Sequence, residues 1–103
     1  MNSPTTVNSL TDLPNLGKAM ARDLQLVGID HPKQLIGKDG YQLYDDLCRI
    51  TGQKHDPCVI DVFLSAVDFM NSGVAKPWWE YTEERKVHLA ERDSYPKRKF
   101  RIG

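Results

Sequence analysis

The residues best suited to bind a ligand lie in one short turn. Its sequence, from Pro14 onward, is Pro14-Asn15-Leu16-Gly17-Lys18. Pro14 ends the preceding helix, Asn15 adopts a left-handed backbone conformation at low cost, and Gly17 leaves no side chain between the backbone and a ligand. The next helix begins at Gly17, so its first amides have no acceptor within the helix and lie at the positive end of the helix dipole. A phosphate is a natural partner for these amides, and Lys18 adds charge beside them.

The same turn also has an interpretation without a ligand. Its residues are common at helix junctions, where the turn joins two helices while Leu13 and Leu16 enter the core. In the binding interpretation, the turn is the hairpin of a helix-hairpin-helix, a motif that binds nucleic-acid backbone. The candidate DNA-phosphate-binding residues are then Asn15, Leu16, Gly17 and Lys18, with Arg22 one turn further along the helix. The residues alone leave both interpretations open.

Two cysteines and a histidine form a second cluster of chemical interest. Cys48, His55 and Cys58 fall at one predicted corner between helices, and thiolate with imidazole is a ligand set that zinc prefers. Their spacing matches no common zinc motif and a fourth ligand is lacking, so we predict neither a metal nor a cofactor. The helix dipole lowers the pKa of a thiol placed like Cys58, but Asp56 opposes that shift. A disulfide between the cysteines and a redox role remain alternatives to simple packing of two small apolar side chains, which we favour.

Aromatic and basic residues concentrate towards the carboxyl end. Trp78, Trp79 and Tyr81 are of the type that stacks on exposed bases. A Pro-Trp-Trp corner more often anchors a final helix to the core through one indole and leaves the other partly exposed, which is what we expect here. One basic run is positioned either to add phosphate contacts or to remain solvated. Its cations are Lys97, Arg98, Lys99 and Arg101.

Composition limits the function further. A chain of 103 residues with 40% hydrophobic residues can build one core but not a second domain. The formal net charge is zero, so any affinity for DNA must come from a local patch. The chain has no apolar run that spans a bilayer and no basic segment followed by an apolar one at its start, which predicts a cytoplasmic protein without membrane contact. No catalytic triad or Gly-rich nucleotide loop is evident, so we predict no enzyme activity.

Glycine and proline divide the chain into helices, and no stretch alternates apolar with polar residues, so the predicted class is all-α. We expect five or six helices in one compact domain over residues 7–93. Residues 1–6 are expected to form a flexible tail, and residues 94–103 a basic one. The most apolar helix begins after Asp56-Pro57 and is predicted to be central.

The turn at Asn15 resembles a known DNA-contacting hairpin, the second hairpin of the carboxy-terminal domain of bacterial RNA polymerase α subunits, which contacts promoter DNA. This resemblance implies backbone contacts for Asn15, Gly17 and Lys18. Ala19 and Met20 stand where that domain has further polar contact residues, and its base-reading arginine helix has no counterpart in this sequence. Sequence-specific readout is therefore not expected.

A broader resemblance extends from about residue 10 to about residue 86. The motifs that carry it are residues 13–21, Leu47-Cys48-Arg49, Thr51-Gly52, residues 56–63, Pro77-Trp78-Trp79, Tyr81-Thr82 and Arg85-Lys86. In this order they resemble the small bacterial helix-hairpin-helix family called pathogenicity locus, some members of which are labelled mitomycin-resistance-protein-like. The resemblance implies a helix-hairpin-helix fold and no settled activity. We expect weak, sequence-non-specific binding of DNA backbone or, alternatively, docking of an unidentified protein through the hairpin and the corner of Trp78 and Trp79.

Overall fold

Helices provide all the regular secondary structure in the computed structural model, which describes Pro4 and residues 6–91. The α-helices are α1 (Lys18–Leu26), α2 (Gly40–Thr51), α3 (Cys58–Ser72) and α4 (residues 82–91). Three 3₁₀ turns cover Leu10–Asp12, Pro32–Leu35 and Trp78–Tyr81. This part of the chain contains no strand, which confirms the all-α class.

The number of helices differs from the predicted five or six, because two of the predicted helices are single 3₁₀ turns. The first, Leu10–Asp12, is followed by Leu13 in an extended conformation with ψ of 147°. The residue before a proline avoids the α-region, so Pro14 stops any growth towards α1. The second, Pro32–Leu35, is as short. A segment of this length does not repay the cost of nucleating an α-helix.

Capping interactions mark the ends of the longer helices, and the predicted start of α3 after Asp56-Pro57 is confirmed. The Asp39 carboxylate accepts a hydrogen bond of 2.9 Å from the Tyr41 amide at the start of α2, and the Asp56 carboxylate accepts one of 2.9 Å from the Cys58 amide at the start of α3. Gly73 ends α3 in the left-handed conformation, with φ of 81°. Local signals in the sequence therefore determine where the main helices begin and end.

The central helix is α3, as predicted. Its buried residues occupy almost its whole circumference, so α3 packs against α2, the second and third 3₁₀ turns and the start of α4. A Cβ at Gly40 would lie only 2.9 Å from Leu64 Cδ2 and 3.0 Å from the Leu64 amide nitrogen. The glycine thus permits the close approach of α2 to α3. No helix among the described residues has the length and hydropathy to cross a membrane.

A buried ion pair joins α3 to α4. Asp61 is fully buried, and its carboxylate receives two hydrogen bonds from Arg85, 3.1 Å from Nε and 3.2 Å from Nη2. The Thr82 hydroxyl donates a third, of 2.7 Å. Two turns along the same face of α3, the Asp68 carboxylate accepts a bond of 2.7 Å from the Tyr81 hydroxyl. These contacts determine where α4 begins on α3.

The expectations for residues 1–3, 5 and 92–103 lie outside the described residues. They include most of the amino-terminal tail and all of the basic run from Lys97 to Arg101.

We predict that Arg85→Ala lowers the free energy of unfolding by about 3–5 kcal/mol, because it leaves the Asp61 carboxylate buried without a counter-charge. The exposed neighbour Lys86 offers a matched control, and Lys86→Ala should change stability by less than about 0.5 kcal/mol. Urea denaturation measures both. An Arg85→Ala effect as small as that of the control would contradict a stabilising role for the pair.

Candidate nucleic-acid interface

The turn of residues 14–17, hereafter the 14–17 turn, is anchored by apolar side chains on its inner side. Leu13 and Leu16 are buried in the core, as the interpretation without a ligand also expects. Asn15 has φ of 67°, the left-handed conformation that was predicted for it. Gly17 and Lys18 are exposed. The turn therefore presents its backbone to solvent while the two leucines hold it in place.

The side chain of Asn15 is hydrogen-bonded within the fold, although the residue is exposed. Its amide nitrogen donates to Ser65 Oγ over 3.2 Å and to the Lys76 carbonyl oxygen over 2.8 Å. An asparagine amide has only two donors, and both are used. These bonds hold the 14–17 turn against α3 and the segment that leads to the third 3₁₀ turn. The predicted phosphate contact of Asn15 stays a prediction, and only its backbone has a free donor for it.

The amino-terminal amides of α1 have no side-chain cap. Gly17 is the N-cap residue, and the first hydrogen bond within the helix runs from the Ala21 amide to the Gly17 carbonyl oxygen over 3.0 Å. The amides of Lys18, Ala19 and Met20 come before that bond and lack an acceptor from the helix. This beginning contrasts with α2 and α3, where carboxylates accept from the first amides.

Nothing in the fold requires a glycine at position 17. Its φ is −89°, which any residue adopts, and a Cβ built there meets no atom within 4 Å. The space above the first turn of α1 is therefore open. The side chain of Leu16 is buried, so only its backbone is available on this surface.

Two exposed cations lie on the first turns of α1. Lys18 and Arg22 are one helical turn apart, so their Cβ atoms are about 5–6 Å from each other. Among the described residues, neither forms an ion pair with a carboxylate. The Lys76 carbonyl oxygen is bonded to Asn15, but the Lys76 ammonium lies 5.3 Å from the centre of the Tyr81 ring, in a pocket that Asp68 and Glu84 also line. Its charge is therefore not counted with those of Lys18 and Arg22.

The cysteine corner has the contacts of a helix junction. Cys48 and Cys58 are free, half-buried thiols. The His55 ring shares a hydrogen bond of 2.8 Å with the Thr51 hydroxyl, while the His55 amide donates to Cys48 Sγ over 3.5 Å. Within residues 6–91 no group of three or more histidine, cysteine, aspartate or glutamate side chains is placed to hold a metal ion.

A helix amino terminus alone would lower the pKa of the Cys58 thiol, but in this structure the pKa is raised. Burial raises this pKa above its ordinary value, and the hydrogen bond with the Asp56 carboxylate and its negative charge raise it further. The Arg85 guanidinium, 3.9 Å from Cys58 Sγ, opposes the rise but does not reverse it. The structure therefore favours packing over nucleophilic chemistry for this cysteine.

The two tryptophans differ in exposure, as predicted. Trp78 is half-buried and packs against the core, whereas Trp79 is 61% exposed. Their ring centres are 5.8 Å apart and their planes are inclined by 83°, an edge-to-face contact. One indole anchors the corner, and the other projects into solvent.

Several polar residues that organise this region were missed at the sequence level. Asp61 stands within the most apolar helix, and a carboxylate in such a run is itself a signal that a buried cation faces it. Its partner Arg85 lies 24 positions along the chain, so no local pattern pairs them. The bond from Asn15 to Lys76 spans 61 positions and is equally hidden.

Comparison with known proteins gives two matches. The sequence model of the family described as Pathogenicity locus (Cdd1) matches residues 3–87. The chain is also similar to the "Mitomycin resistance protein McrB" of Streptomyces lavendulae, with 42% identity over 83 residues that cover 81% of this chain and 79% of the relative. No solved structure matches the chain.

We expect Asn15→Gly to cost about 1–2 kcal/mol of stability, because two hydrogen bonds are lost while the left-handed conformation is kept. Asn15→Ala should cost about 1 kcal/mol more, since alanine is strained at positive φ. Chemical denaturation ranks the two variants, with Lys54→Ala as an exposed control. If alanine and glycine were equivalent at this position, the conformational part of the argument would be wrong.

For Cys58 we predict slow alkylation at neutral pH. In a Cys48→Ala background, the rate of reaction with iodoacetamide should reach half its maximum above about pH 8.5, the ordinary thiol value, because a raised pKa keeps the thiol protonated. Asp56→Asn should shift this midpoint to lower pH, since it removes a negative charge but keeps an oxygen for the Cys58 amide. A midpoint below the ordinary value would point to a reactive thiol instead.

Proposed function

The chain belongs to the pathogenicity locus family, and from that premise we propose that it binds nucleic-acid backbone weakly and without sequence specificity. The contact surface is the 14–17 turn with the first turn of α1, acting as the hairpin of a helix-hairpin-helix. The role is one of binding rather than catalysis, and its setting is the bacterial cytoplasm. The name of the Streptomyces relative refers to resistance and specifies no ligand, so the argument depends on the geometry of the turn.

The observation that carries the proposal is the uncapped start of α1 beneath open space. Amides at this end of a helix point outward and carry about half a positive elementary charge in total. A phosphate oxygen placed above Gly17 would accept from them without displacing a side chain. A carboxylate cap of the kind present on α2 and α3 would block the same position.

The cations around this end of α1 set the strength of binding. Lys18 and Arg22 are both exposed. Two phosphate contacts predict a slope of about −1.8 for log affinity against log salt concentration on duplex DNA. With so few contacts and no net charge on the chain, the dissociation constant should be on the order of 10⁻⁴ M at physiological salt. The predicted addition from Lys97, Arg98, Lys99 and Arg101 stays a prediction.

Sequence specificity is not part of the proposal. Reading base edges requires side chains with hydrogen-bonding groups that reach into a groove. On α1, the exposed residue that follows Lys18 is Ala19, which has no such group. Backbone amides and point charges recognise the phosphates, which are the same for every sequence.

We predict that Gly17→Asp and Gly17→Ser weaken DNA binding while stabilising the fold. Aspartate and serine are good N-cap residues, so each should raise stability by a few tenths of a kcal/mol and occupy the amides that the phosphate needs. Aspartate adds charge repulsion and should have the larger effect. Fluorescence anisotropy with a labelled duplex at low salt measures binding, and thermal denaturation measures stability.

The matched control is Gln53→Asp, which makes the same change in net charge at an exposed loop position away from α1. Equal affinity of Gly17→Asp and Gln53→Asp would exclude the start of α1 as the phosphate site. Absence of any salt-dependent DNA binding by the parent chain would favour the alternative expectation, a protein partner docked through the turn and the corner of Trp78 and Trp79.

A further inference from the structure

We propose that the preferred ligand of this surface is single-stranded DNA, with one unpaired base stacked on the indole of Trp79. The inference rests on the proposed function, because it extends the phosphate site at the start of α1 to a second contact. It gives a function to the indole of Trp79, whose exposure is not explained by packing in the core.

Trp79 is presented to solvent by a rigid support. The third 3₁₀ turn, Trp78–Tyr81, holds its backbone, and the Glu80 amide donates to the Pro77 carbonyl oxygen over 3.1 Å. Trp78 packs against the core and meets the Trp79 ring edge to face. An aromatic ring with 61% of its surface exposed contributes little to the core and remains available for stacking.

Asn15 connects this indole to the phosphate site. Its side-chain amide donates to the Lys76 carbonyl oxygen over 2.8 Å, so the 14–17 turn lies directly against Lys76. Lys76 is three positions before Trp79, which limits the distance between their Cα atoms to about 11 Å. The backbone of Trp79 therefore lies within a few nucleotides' length of the 14–17 turn, so one short single strand could reach both.

The charges of exposed side chains favour phosphates at the start of α1 and a neutral base at Trp79. Lys18 and Arg22 attract phosphates, whereas the exposed carboxylate of Glu80 beside Trp79 repels them. A nucleobase is neutral and is not repelled. In a duplex the bases are stacked on each other and only their edges are accessible, so stacking on Trp79 requires an unpaired base.

The test compares a labelled twelve-residue oligothymidylate with a twelve-base-pair duplex, using the full chain at low salt and anisotropy as the readout. We expect the parent to bind the single strand more tightly. Trp79→Ala should weaken single-strand binding about tenfold and leave duplex binding unchanged, since stacking contributes only to the former. Trp79→Phe should retain part of the preference. Indole fluorescence should be quenched by the oligothymidylate in the parent and much less in Trp79→Phe.

Two variants distinguish this inference from the proposed function. Gly17→Asp should weaken binding of both DNA forms, and Val87→Ala, which removes another exposed apolar side chain, should weaken neither. If the parent binds both forms but Trp79→Ala matches it on the single strand, the base contact is wrong while the phosphate site stands, and the indole is left for a protein partner. If the parent binds neither form, both proposals fail.

Discussion

The fully buried carboxylate of Asp61 is the constraint on which the arrangement of the carboxyl-terminal half depends. A charge removed from water is tolerated only when it is paired and hydrogen-bonded, and Arg85 with Thr82 supplies three bonds to it. This requirement fixes the start of α4 on α3. The third 3₁₀ turn immediately precedes α4, so its position is determined by the same contacts and by the bond from Tyr81 to Asp68.

The position of the third 3₁₀ turn in turn determines what Asn15 can reach. The segment between α3 and this turn carries the Lys76 carbonyl oxygen, and α3 itself carries Ser65. Asn15 binds both, which is why a residue at positive φ is held in one orientation. The buried ion pair and the 14–17 turn are therefore linked indirectly, through α3 and the segment that leads to the third 3₁₀ turn. This connection explains why several residues of the family resemblance, such as Thr82 and Arg85, serve the support rather than the exposed surface.

Sequence reasoning succeeded where the determinant is local. The start of α3 after Asp56-Pro57 and the left-handed conformation of Asn15 each follow from one or two neighbouring residues. It overestimated the number of helices, because the segment before Pro14 is a single 3₁₀ turn and periodicity does not include the cost of nucleating an α-helix. It missed the two hydrogen bonds of the Asn15 side chain, since the acceptors lie 50 and 61 positions away. Long-range polar pairing has no periodic signature in one sequence.

Of the helices α1, α2 and α3, the one whose first amides no side chain caps is α1, where the proposed ligand would bind. Replacing glycine at an N-cap with aspartate or serine gains a few tenths of a kcal/mol, and the open space above Gly17 shows that the fold would accept either residue. The same chain has the more stabilising aspartate caps on α2 and α3. An uncapped start is destabilising only while its amides face water alone. When a phosphate accepts from them, the ligand takes the place of the cap, and the stability absent from the free protein appears as binding energy.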